Sequence, residues 1–352
     1  MTGRAPTAGT RPCAPPGWAR RVVLLLLAAA GCSTGPTEPV ISDDLVLAFV
    51  SRRDGNDEIY GMEASGEAVN LTRHPAEDRG PVWSPDGSRI AFTRGTEPTR
   101  EVHVLDLSNG TVRNVSNHPA DDAHPTWSPD GRRLAFVSAR DGNEEIYVVG
   151  VEGGEPTNLT RHPAPDRDPA WSPVGDRIAF TSARGLRAAI WVVAVDGADL
   201  ARLTPGSDAD QVRPVWSPDG GLVAFESNRD GASEIATVPS GGGQVRVLAA
   251  DPAFDVHPTW SPDGRRLAFL STRSGSDWDV WIVAADGTEP LRLDASSGGR
   301  EAGPVWSPRG GEIAFESRRN GSWDVFAVRP DGTGLRAVAT DPANEGSPAW
   351  RP

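Results

Sequence analysis

Residues 127–147 read Trp-Ser-Pro-Asp-Gly-Arg-Arg-Leu-Ala-Phe-Val-Ser-Ala-Arg-Asp-Gly-Asn-Glu-Glu-Ile-Tyr, and variants of this stretch recur along the chain. Trp-Ser-Pro begins at six positions, and a shortened form, Ala-Trp-Arg-Pro, ends the sequence. Successive tryptophans are separated by 44, 44, 45, 44, 46 and 44 residues. A fixed period of this length, with strand-like sequence in each unit, is typical of β-propeller blades. The repeated tryptophans are Trp83, Trp127, Trp171, Trp216, Trp260, Trp306 and Trp350.

Each unit predicts four short strands, and the unit that contains Trp127 has a segment for each of them. Its strands are predicted over residues 124–127, 133–138, 145–149 and 156–160. The Ser-Pro-Asp-Gly segment at 128–131 predicts a tight turn, because proline presets φ and glycine accepts the left-handed conformation. Four strands joined by glycine-bearing turns make one blade of an all-β propeller.

The two ends of the chain predict how the ring closes. An Ala-Phe pair marks the second strand in seven units, and the first pair, at Phe49, precedes every repeated tryptophan. Trp350, at the other end, has no second strand after it. We therefore expect the strand around Trp350 to join the sheet of residues 45–72, which gives seven blades and removes the open edges. The repeated tryptophans and phenylalanines are predicted to pack between neighbouring sheets.

Composition excludes several function classes. The chain contains no lysine, so Schiff-base chemistry and a phosphate-binding P-loop lysine are ruled out. The formal net charge is −13, which argues against binding to nucleic acid or to anionic lipid surfaces. The sequence also lacks Gly-x-Ser-x-Gly, His-Glu-x-x-His, Cys-x-x-Cys and glycine-rich phosphate-loop motifs.

The first 31 residues predict a lipoprotein signal peptide. Arg20 and Arg21 precede an apolar run at 22–30, and Ala-Ala-Gly at 29–31 leads to Cys32. This pattern resembles a bacterial lipobox, in which Cys32 is diacylated; an ordinary signal peptide is the alternative. Residues 32–44 then form the lipidated cysteine and a tether, and residues 45–352 form the propeller. Because Cys13 would leave with the signal peptide, no internal disulfide is expected. The predicted location is the bacterial cell envelope, lipid-anchored on the periplasmic or cell-surface face.

The repeat resembles that of TolB-type propellers. The elements that carry this resemblance are Trp-Ser-Pro-Asp-Gly at 127–131, Leu-Ala-Phe at 134–136, Arg-Asp-Gly at 140–142 and Glu-Ile-Tyr at 145–147. The resemblance extends over 45–352 and implies the propeller fold together with roles that are mostly binding or scaffolding, with a few lyases. TolB itself has six blades and an N-terminal α/β domain, neither of which is expected here. The hydrolase domain of prolyl oligopeptidase-like enzymes is not expected either.

Two series of residues predict a brace at the loops that enter the innermost strands. An acidic residue or glutamine stands five residues before each tryptophan, and an arginine follows the second strand in six of the seven units. We expect exposed pairs that contribute about 0–1 kcal/mol each, and favour this interpretation over a cation site. The first series is Asp78, Asp122, Asp166, Gln211, Asp255, Glu301 and Glu345; the second is Arg53, Arg140, Arg184, Arg229, Arg273 and Arg319.

Varied residues three positions before each tryptophan are predicted to ring the mouth of the central channel. Polar residues that converge on a concavity are candidates for ligand contact, and a plain solvated rim is the alternative. The ligand-binding candidates are His124, Asp168, Arg213 and His257; the same position holds Gly80, Gly303 and Ser347 in the other units.

Three further histidines share a position nine residues before a tryptophan. On adjacent outer loops they diverge too far to bind one metal ion, so we expect each to shape its own His-Pro turn. No metal and no cofactor are predicted. These histidines are His74, His118 and His162.

Two hypotheses for function remain. The favoured one is a monomeric, non-enzymatic envelope lipoprotein whose propeller binds another envelope protein, a peptide or a glycan. The alternative is a lyase or hydrolase at the channel mouth, with His124 and Asp168 as the acid–base pair.

Overall fold

The computed structural model describes residues 44–206, 208–229, 231–248, 252–275, 277–293 and 299–352, with only the backbone of Arg229. The predicted signal peptide, Cys32 and all but the last residue of the tether lie outside these residues. The described residues belong to one compact unit within Pro39–Pro352. No helix of the described part has the length and apolar character needed to cross a bilayer.

Within the described residues, twenty-eight strands form seven four-stranded antiparallel sheets, as the repeats predict. Each sheet is one blade, and blades 1 to 6 follow chain order. Blade 1 is formed by the fourth to seventh strands of the chain, and blade 7 combines the last strand with the first three. Blade 1 is β4 (Asp78–Trp83), β5 (Arg89–Arg94), β6 (Glu101–Asp106) and β7 (Val112–Asn114). Blade 2 is β8 (Asp122–Trp127), β9 (Arg133–Ser138), β10 (Glu145–Gly150) and β11 (Thr157–Asn158). Blade 3 is β12 (Asp166–Trp171), β13 (Arg177–Ser182), β14 (Ala189–Ala194) and β15 (Ala201–Arg202). Blade 4 is β16 (Asp210–Trp216), β17 (Leu222–Arg229), β18 (Ala232–Pro239) and β19 (Arg246–Val247).

Blade 5 is β20 (Asp255–Trp260), β21 (Arg266–Ser271), β22 (Asp279–Ala284) and β23 (Leu291–Arg292). Blade 6 is β24 (Glu301–Trp306), β25 (Ile313–Ser317), β26 (Asp324–Val328) and β27 (Arg336–Ala339). Blade 7 is β28 (Glu345–Trp350), β1 (Leu45–Ser51), β2 (Glu58–Glu63) and β3 (Ala68–Asn70).

Strand bounds in blade 2 follow the sequence prediction closely. The second strand has the predicted bounds, the first begins two residues earlier at Asp122, and the outer strand is reduced to Thr157–Asn158. The outer strands of blades 3, 4 and 5 are equally short, with two residues each. The predicted turn is also present: the amide of Gly131 donates to the Ser128 carbonyl at 2.9 Å, with φ of 66° at Gly131.

The ring closes between the two ends of the chain, as predicted. β28 pairs with β1 in an antiparallel register that places Ala349 opposite Ala48. The amide of Arg351 then donates to the Val46 carbonyl at 3.0 Å, and its guanidinium lies over the Trp83 ring of blade 1. The last residues therefore join both the first strand and the next blade.

The repeated aromatic residues form the packing between blades. Every phenylalanine of the Ala-Phe series is fully buried. Trp127 packs among residues of blades 1 and 2, and its Nε1 donates to the Val82 carbonyl of blade 1 at 2.9 Å. The predicted core role is confirmed, although Trp216 and Trp350 stay partly exposed.

The first strand of every blade lies at a sheet edge and contacts the first strands of both neighbouring blades. These seven strands (β4, β8, β12, β16, β20, β24 and β28) therefore form the innermost ring around the central axis. Their N-terminal ends carry the predicted ligand-binding candidates.

Candidate functional site

The position three residues before each tryptophan has the same unusual backbone in all seven blades. Its φ is positive throughout, from 49° at Ser347 to 61° at Gly80, and the pairing register with the second strand shifts there. A proline follows in every case. Each residue thus lies on a β-bulge, which re-aims its side chain away from the regular ladder.

The left-handed conformation costs roughly 1–2 kcal/mol for a residue with a Cβ. His124, Asp168, Arg213 and His257 adopt it, with φ of 55°, 52°, 56° and 57°. Strained backbone of this kind is concentrated at functional sites. The sequence contained a partial signal for it, since two of the seven units place glycine there.

Arg213 and His257 meet across the boundary between blades 4 and 5. Arg213 Nη1 donates to His257 Nε2 at 2.7 Å and lies 3.3 Å from Glu226 Oε1. The same carboxylate oxygen accepts the backbone N–H of His257 at 2.8 Å. Glu226 is buried on β17, whereas Arg213 and His257 are exposed. The buried carboxylate therefore fixes an exposed guanidinium–imidazole pair.

The imidazole of His257 is neutral in this arrangement. Partial burial, and then the charge of Arg213, lower the pKa of His257 below its ordinary value. Its Nε2 must accept from the guanidinium, so the proton of the neutral ring sits on Nδ1. The lone pair at Nε2 is thus engaged by Arg213.

Asp168 connects to the same cluster through Thr181. Thr181 Oγ1 donates to Asp168 Oδ2 at 2.9 Å and accepts the backbone N–H of Arg213 at 3.0 Å. Three of the four candidates are therefore linked across blades 3, 4 and 5 (these bonds join Asp168, Arg213 and His257).

His124 stands apart from this cluster. Among the described residues, no hydrogen bond joins His124 to Asp168. The nearby carboxyl of Asp121 is bound by Arg100 instead, and the hydrogen bonds from Arg100 hold its pKa below the usual range. The structure does not assemble His124 and Asp168 as an acid–base pair.

The ring of bulge residues divides into two sectors. Blades 2 to 5 carry large polar side chains, and blades 6, 7 and 1 carry small residues. We call the first group the polar sector (His124, Asp168, Arg213 and His257) and the second the small sector (Gly303, Ser347 and Gly80).

Five of the predicted braces form, and a sixth pair in blade 1 uses Arg94, which is outside the predicted series. The expectation that the braces are exposed is wrong. All six carboxylate side chains have 0% exposure and their arginines 7–24%, with nitrogen–oxygen distances of 2.5–3.1 Å. The cause is the aromatic core: each guanidinium also lies over the buried phenylalanine of its blade. The pairs are Arg94–Asp78, Arg140–Asp122, Arg184–Asp166, Arg273–Asp255, Arg319–Glu301 and Arg53–Glu345.

Two blades depart from the predicted series. In blade 1, Arg94 replaces the serine that stands two residues after the phenylalanine in every other blade. Its Nε and Nη2 donate to the two oxygens of Asp78 at 2.7 and 2.8 Å. In blade 4, Gln211 is buried and its amide has no partner among the described side chains.

The brace of blade 7 follows the predicted series but contains a carboxyl group with a shifted pKa. Burial raises the pKa of Glu345 to about 7, although Arg53 and Ser51 act in the opposite direction.

The three outer-loop histidines shape their own turns, as predicted. In each, Nδ1 accepts the backbone N–H two residues later at 3.1 Å: His74 from Ala76, His118 from Ala120 and His162 from Ala164. Within the described ranges, no group of three His, Cys, Asp or Glu side chains is arranged to hold a metal ion.

A closed ring of seven four-stranded blades, with a polar and a small sector at one end of its inner strands, defines a seven-bladed β-propeller. The family model of the TolB beta propeller domain matches residues 80–213 and 208–352. The chain belongs to this family. A search of curated proteins finds no match.

Several solved structures share the fold. TolB from Acinetobacter baumannii is 20% identical, the match covers 88% of this chain and 83% of that one, and the TM-score is 0.58. An oligogalacturonate lyase from Vibrio parahaemolyticus is 17% identical, with 82% and 87% covered and a TM-score of 0.67. A puromycin-hydrolyzing peptidase from Mycobacterium tuberculosis is 17% identical, with 85% and 54% covered and a TM-score of 0.64. At these identities the likeness concerns the fold alone.

Proposed function

We propose that this protein is a non-enzymatic binding propeller of the bacterial cell envelope, held at a membrane through a lipid on Cys32. Its ligand is an envelope protein, a peptide or a glycan that docks at the channel mouth. The observation that carries the proposal is the Arg213–His257 pair, which is exposed, oriented by left-handed bulges and supported by the buried Glu226. A fixed guanidinium beside a neutral imidazole suits an acidic group on the ligand.

The same geometry favours binding over catalysis. A general base needs a free lone pair within reach of a substrate proton, and Nε2 of His257 is engaged by Arg213. Asp168 is bonded to Thr181 and does not orient His124. The lyase or hydrolase alternative therefore has no assembled acid–base pair to support it among the described residues.

The binding role is tested by capture of partners from a crosslinked envelope extract. The double variant Arg213→Ala, His257→Ala should lose at least about tenfold of the specifically captured partner, since a charged contact that becomes buried and hydrogen-bonded when the ligand docks contributes strongly to binding. Arg336→Ala is the matched control, because both arginines have 49% side-chain exposure and Arg336 lies on the outermost strand of blade 6.

Equal capture by the double variant and the control would contradict this role for the polar sector. Turnover of a glycan or peptide substrate that disappears in His124→Ala, with the melting temperature unchanged, would support the enzymatic alternative instead.

The anchor is tested separately by fractionation. Cys32→Ser should move the protein from the membrane to the soluble fraction, because a diacyl chain supplies the membrane affinity. Cys13→Ser is the control, since Cys13 is expected to leave with the signal peptide and should not change the distribution. Retention of Cys32→Ser in the membrane fraction would refute lipidation.

A further inference from the structure

A second carboxylate occupies the position of Glu226 two blades further on. The residue after the buried phenylalanine of the second strand is Glu226 in blade 4 and Glu316 in blade 6. Each accepts the backbone N–H of the bulge residue in the next blade at 2.8 Å, from His257 in one case and Ser347 in the other. The two sites are therefore equivalent in backbone and in the hydrogen bond that orients the carboxylate.

The side chains around the two carboxylates differ. Arg213, on the bulge of the same blade, supplies a guanidinium to Glu226, and His257 supports that guanidinium from the next blade. The corresponding residues beside Glu316 are Gly303 and Ser347. Blade 6 thus has the carboxylate of the blade 4 arrangement without its guanidinium.

A pocket lies beside Glu316 at the small sector. Its volume is about 230 Å³, room for several waters at about 30 Å³ each, and hence for a planar guanidinium. Trp323 also lines the pocket, and Trp is the aromatic side chain that attracts cations most strongly. The guanidinium of Arg318 already lies 5.8 Å from the centroid of its ring. The charged residues that also line the pocket are Arg52, Asp57, Arg79 and Glu345, and Ser347 lies among them.

The charges of the pocket leave one carboxylate in excess. Arg52 and Arg79 both pair with Asp57, at 2.8 and 2.5 Å, and both also pair with Glu77. Glu345 is paired with Arg53. No arginine among the described residues is paired with Glu316, and burial raises its pKa.

We propose that this pocket binds an arginine side chain presented by a peptide or protein, with Glu316 as its counter-charge and Trp323 beside its planar face. The guanidinium takes the role beside Glu316 that Arg213 has beside Glu226. Ser347 and Gly303 leave the space that an incoming side chain needs. That the arginine belongs to a docked partner rests on the proposed function, whereas the preference of the pocket for a guanidinium is independent of it.

The experiment compares two capped amino acids by titration calorimetry against the full-length protein. N-acetyl-arginine amide carries only the guanidinium charge, and N-acetyl-citrulline amide is its neutral isostere. The arginine probe should bind at least about tenfold more tightly, because a desolvated carboxylate discriminates strongly between a charged and a neutral partner.

Two variants probe the pocket in different ways. Glu316→Gln removes the counter-charge and should abolish the preference for arginine. Gly303→Arg should have the same effect by supplying an internal guanidinium, and Arg213 shows that arginine accepts this backbone, with φ of 56° against 52° at Gly303. A Cβ on Gly303 would lie 3.1 Å from Glu316 Oε1, so the flexible carboxylate must shift by a few tenths of an ångström.

Glu312→Gln is the charge-matched control, because Glu312 pairs with Arg336 away from this pocket. It should bind the arginine probe as the unmodified protein does. Equal binding of the two probes, or an arginine preference that survives in both Glu316→Gln and Gly303→Arg, would overturn the inference. The double variant Arg213→Ala, His257→Ala should keep the preference, so loss of partner capture there leaves this inference standing.

Discussion

The arginine–carboxylate braces of this propeller are buried, although the sequence predicts exposed pairs. Arg184 is 7% exposed and Asp166 0%. The guanidinium donates to Asp166 at 2.5 Å and lies over the rings of Trp191 and Phe180 at 4.9 and 5.6 Å. Burial raises the pKa of Asp166, and Arg184 and Ser182 oppose that shift. The pair is thus a buried one, for which the loss of one partner is costly.

Arg184→Ala should therefore lower the free energy of unfolding by about 3–5 kcal/mol, since it leaves the carboxylate of Asp166 buried without its cation. Urea denaturation of the purified protein measures the change. Arg177→Ala is the control: Arg177 and its partner Asp176 are 44% and 60% exposed, so a loss of at most about 1 kcal/mol is expected. Similar losses in the two variants would show that burial of the brace does not matter.

The identity of the brace residues was predictable, but their environment was not. Aspartate and arginine recur at fixed positions, so the pairing could be inferred from the repeats. Burial depends on how the aromatic rings of a blade stack over the guanidinium, a packing arrangement that the residue pattern does not show. The role of Arg94 was missed because it stands at a serine position and reaches Asp78 from two residues earlier in the repeat.

At the scale of the strand, alternation and turn residues were sufficient to place the elements. The second strand of blade 2 has the predicted bounds because its turn residues mark both ends. The bulges on the first strands were not predicted, although the sequence contains two signals of them. A proline follows the bulge position in every blade, and the bulge position itself is glycine at Gly80 and Gly303. A regular strand would have directed the candidates differently, so the bulges explain how residues from separate repeats meet.

The contact between Arg213 and His257 belongs to the same scale. The two residues are 44 positions apart, and each lies on the first strand of its own blade. Their meeting depends on the bulge and on Glu226, whose equivalent is valine, threonine, leucine or glutamate in the other blades. The repeats therefore mark the positions of these residues, whereas the three-dimensional packing of the blades decides which of them interact.

The whole molecule depends on closure, because the inner ring orders the seven bulge residues around one mouth. Phe49 has no repeated tryptophan before it and Trp350 has no second strand after it, which predicted a sheet shared by the two ends of the chain. β28 and β1 form this sheet. With an open ring, the polar sector and the small sector would not share one concave surface. Both binding proposals therefore require the closed ring.

The central claim is that β28 pairs with β1 in the register that places Ala349 opposite Ala48. Paired residues of antiparallel strands have Cα atoms about 4.5–5.5 Å apart, within the range that a disulfide bridges. The measurement is disulfide formation in the variant Ala48→Cys, Ala349→Cys, with Cys13 and Cys32 replaced by serine. Non-reducing electrophoresis and mass spectrometry of the linked peptides identify the bond.

The matched control pairs Ala48→Cys with Ala179→Cys, a buried alanine on the second strand of blade 3. We expect a quantitative intramolecular disulfide between positions 48 and 349 under mild oxidation, and none between 48 and 179. Free thiols at 48 and 349, or bonds that form only between molecules, would contradict the closed seven-bladed ring.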